Sequence, residues 1–146
     1  MIIYTMGFAQ KSAEEFFSLI SDNHIELLLD IRLNNKSQLA GFTKGNDLEF
    51  FLREICKCAY EHNVEYAPTK EILTDYKNKE IDWDEYEKRY VALMNERGSY
   101  QSFENNFSPY KKIALLCSEP SAAQCHRRLL AELIQGLSTD IQIRHL

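Results

Sequence analysis

The chain has 146 residues, 45% of them hydrophobic and 12% aromatic, and a formal net charge of −5. That length suits one α/β domain spanning 1–146 with a core that needs no staples. The acidic balance speaks against a nonspecific nucleic-acid binder, which neutralises phosphates with a basic face, and no apolar run approaches the ~20 residues of a membrane span.

Ile2 to Met6 reads as a first strand. The residues before Gly7 carry neither a charged leader nor a long apolar stretch, so no signal peptide is predicted and the expected location is the cytoplasm. Ser12 followed by Glu15 matches a capping box and opens a helix with Phe16, Phe17 and Ile20 on one face. Glu26 to Arg32 is the second strand; its run Leu27-Leu-Leu-Asp-Ile31 is nearly continuous apolar, as in a strand covered on both faces. Asn46 with Glu49 starts a second helix through Leu48, Phe51, Leu52 and Ile55, with Cys56 and Cys58 as packing thiols on different faces. Val64 to Ala67 is a short strand candidate. Thr69 opens a helix to Tyr76, and Asp82 with Glu85 opens another through Tyr86, Tyr90, Leu93 and Met94.

The helical insertion at about 69–98 is rich in charge and aromatics. It is either a lid over a crevice or a plain hairpin. Gly98 to Pro109 is the most irregular stretch and reads as a loop. Ile113 to Cys117 is a buried strand, Ser121 with Gln124 caps a helix carrying Leu129, Leu130, Leu133 and Leu137, and Ile141 to His145 is a final strand, expected antiparallel at an edge. Strand–helix alternation of this kind predicts a three-layer, Rossmann-like α/β fold with a mostly parallel sheet.

Chemistry concentrates where the fourth strand meets the last helix. A βα turn sets a strand's carboxyl end beside a helix N-terminus, the crevice where open α/β sheets bind ligands. Cys117 and Glu119 share one side of the extended backbone at period two. At ~100° per residue, His126 falls within the apolar stripe of the helix, with Cys125 and Arg127 at its margins and Arg128 facing solvent. Asp30 and Arg32 share a face at the end of the second strand, and a buried aspartate needs a partner. Gly7, between a strand and a capped helix, offers a weak anion site.

These residues also carry a resemblance. Tyr4-Thr-Met-Gly7, Leu29-Asp-Ile-Arg32, Ala67-Pro-Thr-Lys70, Leu116-Cys-Ser-Glu119 and Cys125-His-Arg-Arg-Leu-Leu-Ala131 together resemble the prokaryotic family known as domain of unknown function 488. The resemblance covers nearly the whole chain and implies an α/β fold with a shared polar pocket. Members often have a histidine after the first-loop glycine, where this chain has Phe8. The resemblance supplies no reaction and no cofactor.

Three readings follow. In the first, the chain is an enzyme acting on a small anionic or nucleotide-like substrate. Cys125 or Cys117 is then the nucleophile, His126 and Glu119 assist, and Asp30, Arg32, Arg127 and Gly7 bind substrate. Cys125 is the favoured thiol, helped by the helix dipole and by Arg128. In the second, Cys117, Cys125 and His126 hold a metal; adjacent helical residues diverge by ~100°, which weighs against it, and no metal ligand is assigned. In the third, the chain is a noncatalytic module for a nucleic-acid end or a protein partner.

Overall fold

A computed structural model describes residues 1–36, 40–119 and 121–146 of the chain. The elements run β1 (Ile2–Gly7), α1 (Ala13–Asp22), β2 (Leu27–Asp30), α2 (Gly45–Phe51), β3 (Ala59–His62), α3 (Lys70–Lys77), α4 (Trp83–Arg97), α5 (Ser99–Phe107), β4 (Lys112–Cys117), α6 (His126–Gln135) and β5 (Gln142–His145). Local chemistry sets several helix starts. Ser12 Oγ accepts from the Glu15 amide while the Glu15 carboxylate accepts from the Ser12 amide, and the Thr69 and Asp82 side chains accept from the Ile72 and Glu85 amides at the starts of α3 and α4. Among the described residues, no helix is long and apolar enough to cross a membrane.

The five strands form one parallel sheet in the order β3-β2-β4-β1-β5. Alternation along the strands builds two cores. Ile3, Leu27, Leu29, Ile113 and Leu115 face α4, α5 and α6, whereas Tyr4, Met6, Leu28, Ala114 and Leu116 face α1 and α2. The result is a three-layer α/β fold. Its centre, β4, lies between β2 and β1 and passes to α6 on one face, while both neighbours pass to helices on the other. Such a change of direction opens a crevice at the carboxyl ends of the strands.

The structure departs from the sequence expectations at five places. The strand expected at Val64 to Ala67 is a 3-10 turn, Val64–Tyr66, and the true strand lies upstream at Ala59–His62. Helix α2 runs into a π-helical turn at Leu52–Cys56 and stops at left-handed Lys57, so Cys58 precedes an edge strand instead of sitting in a helix. The stretch expected to be a loop forms α5, because Phe103 and Phe107 pack with Tyr66; helical structure thus extends to residue 107. Strand β5 pairs parallel with β1, not antiparallel. Finally, α6 starts at His126 with Cys125 as its N-cap, several residues after Ser121.

Candidate functional site

Cys117 ends β4 on the α6 face, and Cys125 stands at the N-terminus of α6. Their sulfurs pair directly, across a Cα–Cα separation of 7.7 Å. Disulfides usually close over roughly 4.4–6.8 Å, so the backbone here is set for two sulfurs meeting at one point rather than for a tight staple. His126 completes the cluster. Its Nε2 lies 3.0 Å from the Ile31 carbonyl, an acceptor only, so Nε2 carries the proton. That leaves the Nδ1 lone pair facing Cys125 Sγ at 3.9 Å and the Tyr86 hydroxyl at 3.5 Å. Burial pushes the His126 pKa down to about 4; the Ile31 carbonyl opposes the shift and the Arg127 charge adds to it. The imidazole is neutral at physiological pH. The two sulfurs and the ring nitrogen lie within 4.8 Å of one another.

Arg127 lies beneath this cluster. Its Nη1 donates to Cys117 Sγ at 2.8 Å and to the Glu119 carbonyl. Desolvation lowers the guanidinium pKa to about 10, with Glu119 pulling the other way, and the group remains a cation at neutral pH. Gly7 makes this possible: a Cβ there would overlap the Glu119 carbonyl oxygen and crowd Arg127 Nη1. The glycine admits the β4–α6 turn against β1, and the α1 N-terminus behind it is already occupied by its own capping box. Pro120 in that turn lies outside the described residues.

Asp30 and Arg32 form a second polar group on the opposite face of the sheet. Arg32 Nε and Nη2 grip the Asp30 carboxylate at 2.8 and 2.7 Å, the Arg32 amide adds a third bond, and the Tyr60 hydroxyl donates a fourth at 2.7 Å. Arg32 also donates to the Thr43 carbonyl and lies 5.2 Å over the Phe8 ring. Asp30 is fully buried behind Arg32, and of the two it is Arg32 that lines the larger cavity beside β4.

Two cavities flank the end of β4. The larger, about 900 Å³, has Lys11 and Arg32 in its wall. The smaller, about 420 Å³, is walled by Tyr76, Trp83, Tyr86 and Cys125. Leu73, Cys117, Ser118, Glu119 and His126 belong to both. Of the residues singled out in the sequence, Arg32, Cys117, Glu119, Cys125 and His126 thus line connected space. Arg127 and Gly7 support it from beneath, and Asp30 holds Arg32. Arg128 is not at either sulfur: it pairs with Glu132 and lies 6.0 Å over Trp83.

Sequence reasoning missed Lys11, Tyr60 and the three aromatic residues of the smaller cavity. Lys11 is drawn close enough to Arg127 that burial, and then the Arg127 charge, lower its pKa against the pull of Glu15. The Tyr76, Trp83 and Tyr86 spacing was visible, but it reads equally as ordinary helix packing.

A family model described as Domain of unknown function DUF488 matches residues 12–134. No curated protein and no solved structure matches the chain.

Proposed function

The chain belongs to the DUF488 family, and we propose that it is an enzyme acting on a small anion at the carboxyl edge of the sheet, with Cys117 as nucleophile. The observation that carries this reading is the Arg127 guanidinium donating to Cys117 Sγ on the wall of both cavities. A cation hydrogen-bonded to sulfur favours the thiolate, the reactive form. Lys11 supplies positive charge in the larger cavity, where an anion would lie, and Arg32, its charge paired with Asp30, lines the same wall. Once a small-molecule or protein dithiol has reduced the Cys117–Cys125 bond by two electrons, leaving itself as the disulfide, Cys117 Sγ would form a bond to the electrophilic atom of the anion as the bond to the leaving group breaks. The leaving group departs with that electron pair and takes a proton from water; a second water then cleaves the sulfur adduct, restoring the thiolate.

This assignment favours Cys117 over Cys125 because the buried guanidinium reaches Cys117, whereas Arg128 is engaged by Glu132. After reduction, brief alkylation at pH 6 followed by mass spectrometry should label Cys117 well ahead of Cys58, whose thiol burial pushes up to about 12. Arg127→Gln should slow that labelling. Equal rates at the two cysteines, or protection of Cys117 until unfolding, would sink the proposal.

A second reading has its own support. His126 Nε2 is fixed by a backbone carbonyl while Nδ1 faces Cys125 Sγ, with both sulfurs within 4.8 Å of the ring's ligand atom, the usual outer-shell arrangement of a metal-binding imidazole. Cys125 has extended dihedrals, φ −145° and ψ 140°, so the helical divergence from His126 does not apply. The donor set suits a zinc-type cation with an open fourth position. Stoichiometric zinc in protein purified without added metal, together with Cys117 resisting alkylation until chelation, would favour this reading over the thiolate.

A further inference from the structure

The two cavities differ in chemistry, and the difference has an order to it. On one side stand Lys11 and Arg32, the second paired with the buried Asp30. On the other stand three rings: Trp83 and Tyr86 stack at 4.9 Å and 19°, and Tyr76 packs against both at 5.9 and 5.0 Å. Between them, in the wall of both, is Glu119, whose charge acts on Tyr86 and on Arg127. Helices α3 and α4 bring this aromatic wall to the crevice, which gives the inserted segment a use beyond packing.

We infer that the substrate is a nucleotide: a base against the Tyr76–Trp83–Tyr86 wall, a ribose at Glu119, and a phosphate toward Lys11 and Arg32. This rests on the reading of the crevice as an anion-binding active site and deepens it. The chemistry runs in the same sequence as the ligand. A flat heteroaromatic ring gains from stacking on tyrosine and tryptophan whatever its identity. A carboxylate accepts from the vicinal hydroxyls of a ribose, as acidic residues do in dinucleotide sites, and it would repel a phosphate placed beside it. Lys11 is in the other cavity, where a phosphate would be neutralised, while the Arg128 guanidinium over Trp83 is already paired with Glu132. The Gln124 amide, close to the Tyr76 hydroxyl at 3.4 Å, offers a donor and an acceptor to a base edge. Volumes of about 420 and 900 Å³ lie in the range of small-ligand sites.

Trp83 is the sole tryptophan of the chain, so its fluorescence reports the aromatic cavity alone. The full-length protein is titrated with the 5′-monophosphates of adenosine, guanosine, cytidine and uridine, and with adenosine, ribose 5-phosphate and inorganic phosphate. At least one nucleoside monophosphate should saturably change Trp83 emission and bind about tenfold or more tighter than ribose 5-phosphate, the increment that base stacking confers. Lys11→Ala should weaken that nucleotide about tenfold and leave adenosine unchanged. Tyr76→Leu should weaken nucleotide and adenosine together, with ribose 5-phosphate unaffected and circular dichroism confirming the fold. Phosphate and ribose 5-phosphate binding as well as every nucleotide, or no response to any of the four, overturns the inference. Nucleotide binding to a protein whose Cys117 is inert would keep this inference and remove the nucleophile; a reactive Cys117 with no nucleotide binding would do the reverse.

Discussion

The two buried polar groups at the carboxyl edge of the sheet differ in how their bonds are spent. On the α1–α2 face, the Asp30 carboxylate receives two bonds from the Arg32 guanidinium, one from its amide and one from Tyr60. On the α6 face, His126 Nδ1 has, among the described residues, only the long contacts to the Tyr86 hydroxyl at 3.5 Å and Cys125 Sγ at 3.9 Å, the Cys117 sulfur meets Cys125 and Arg127, and His126 and Cys117 both line the two cavities. Both groups are buried, so burial alone does not separate a structural site from a chemical one. What separates them is that Cys117 and His126 line both cavities, whereas the Asp30 carboxylate lines neither.

The sharpest way to break this contrast is to remove Asp30. An unpaired Arg32 would be left in the interior, and Asp30→Ala should cost about 3–5 kcal/mol of folding stability in urea titration. A loss under 1 kcal/mol, about the worth of an exposed pair, would mean that the ion pair is not closed.

The His126 side is tested by pH. Its folded pKa, about 4, lies below the ordinary imidazole value of 6.5, so on acidification the unfolded chain protonates first. The neutral ring's full stability is present above about pH 6.5 and is lost as the pH falls towards 4, by roughly 3 kcal/mol in all. His126→Asn should flatten that part of the profile relative to the native chain, and parallel curves for the two would count against a buried neutral imidazole.

Gly7→Ala presses the β4–α6 turn away from β1. We expect a loss of about 1–3 kcal/mol, accompanied by slower Cys117 alkylation as Arg127 is displaced; unchanged reactivity would separate the glycine from the cluster. Tyr60→Phe probes the closed group more gently, removing one of the bonds to a carboxylate that keeps the others, for about 1.5 kcal/mol in thermal or urea unfolding. It should leave Cys117 reactivity untouched, since the two groups lie on opposite faces of the sheet.

Much of the fold was legible because its signals are local. Ser12 and Glu15, Thr69, and Asp82 cap helices using neighbours three residues away, and the apolar runs of β2 and β4 declare strands covered on both sides. The misses share a cause. The β3 residues, Ala59 to His62, alternate between exposed and half-buried at the sheet edge, so no apolar run marked them; polar side chains suit an unpaired edge. Helix α5 has a polar Ser-Gln-Asn composition, and what holds it is Phe103 and Phe107 against a tyrosine nearly forty residues earlier.

For the site, sequence order alone placed Cys117, Glu119, Cys125 and His126 near one crevice, because a strand end and the next helix start are joined by a short turn. It also set Asp30 beside Arg32, two residues apart on one strand face, as one of the partners open to the carboxylate. It could not choose which cysteine meets a cation, because that depends on Arg127 folding back beneath the turn through the space that Gly7 leaves open. Nor could it bring Lys11, Tyr76 and Trp83 to the same crevice. Those juxtapositions arise from strand order and helix packing, which join residues far apart in the chain and leave no periodic trace in it.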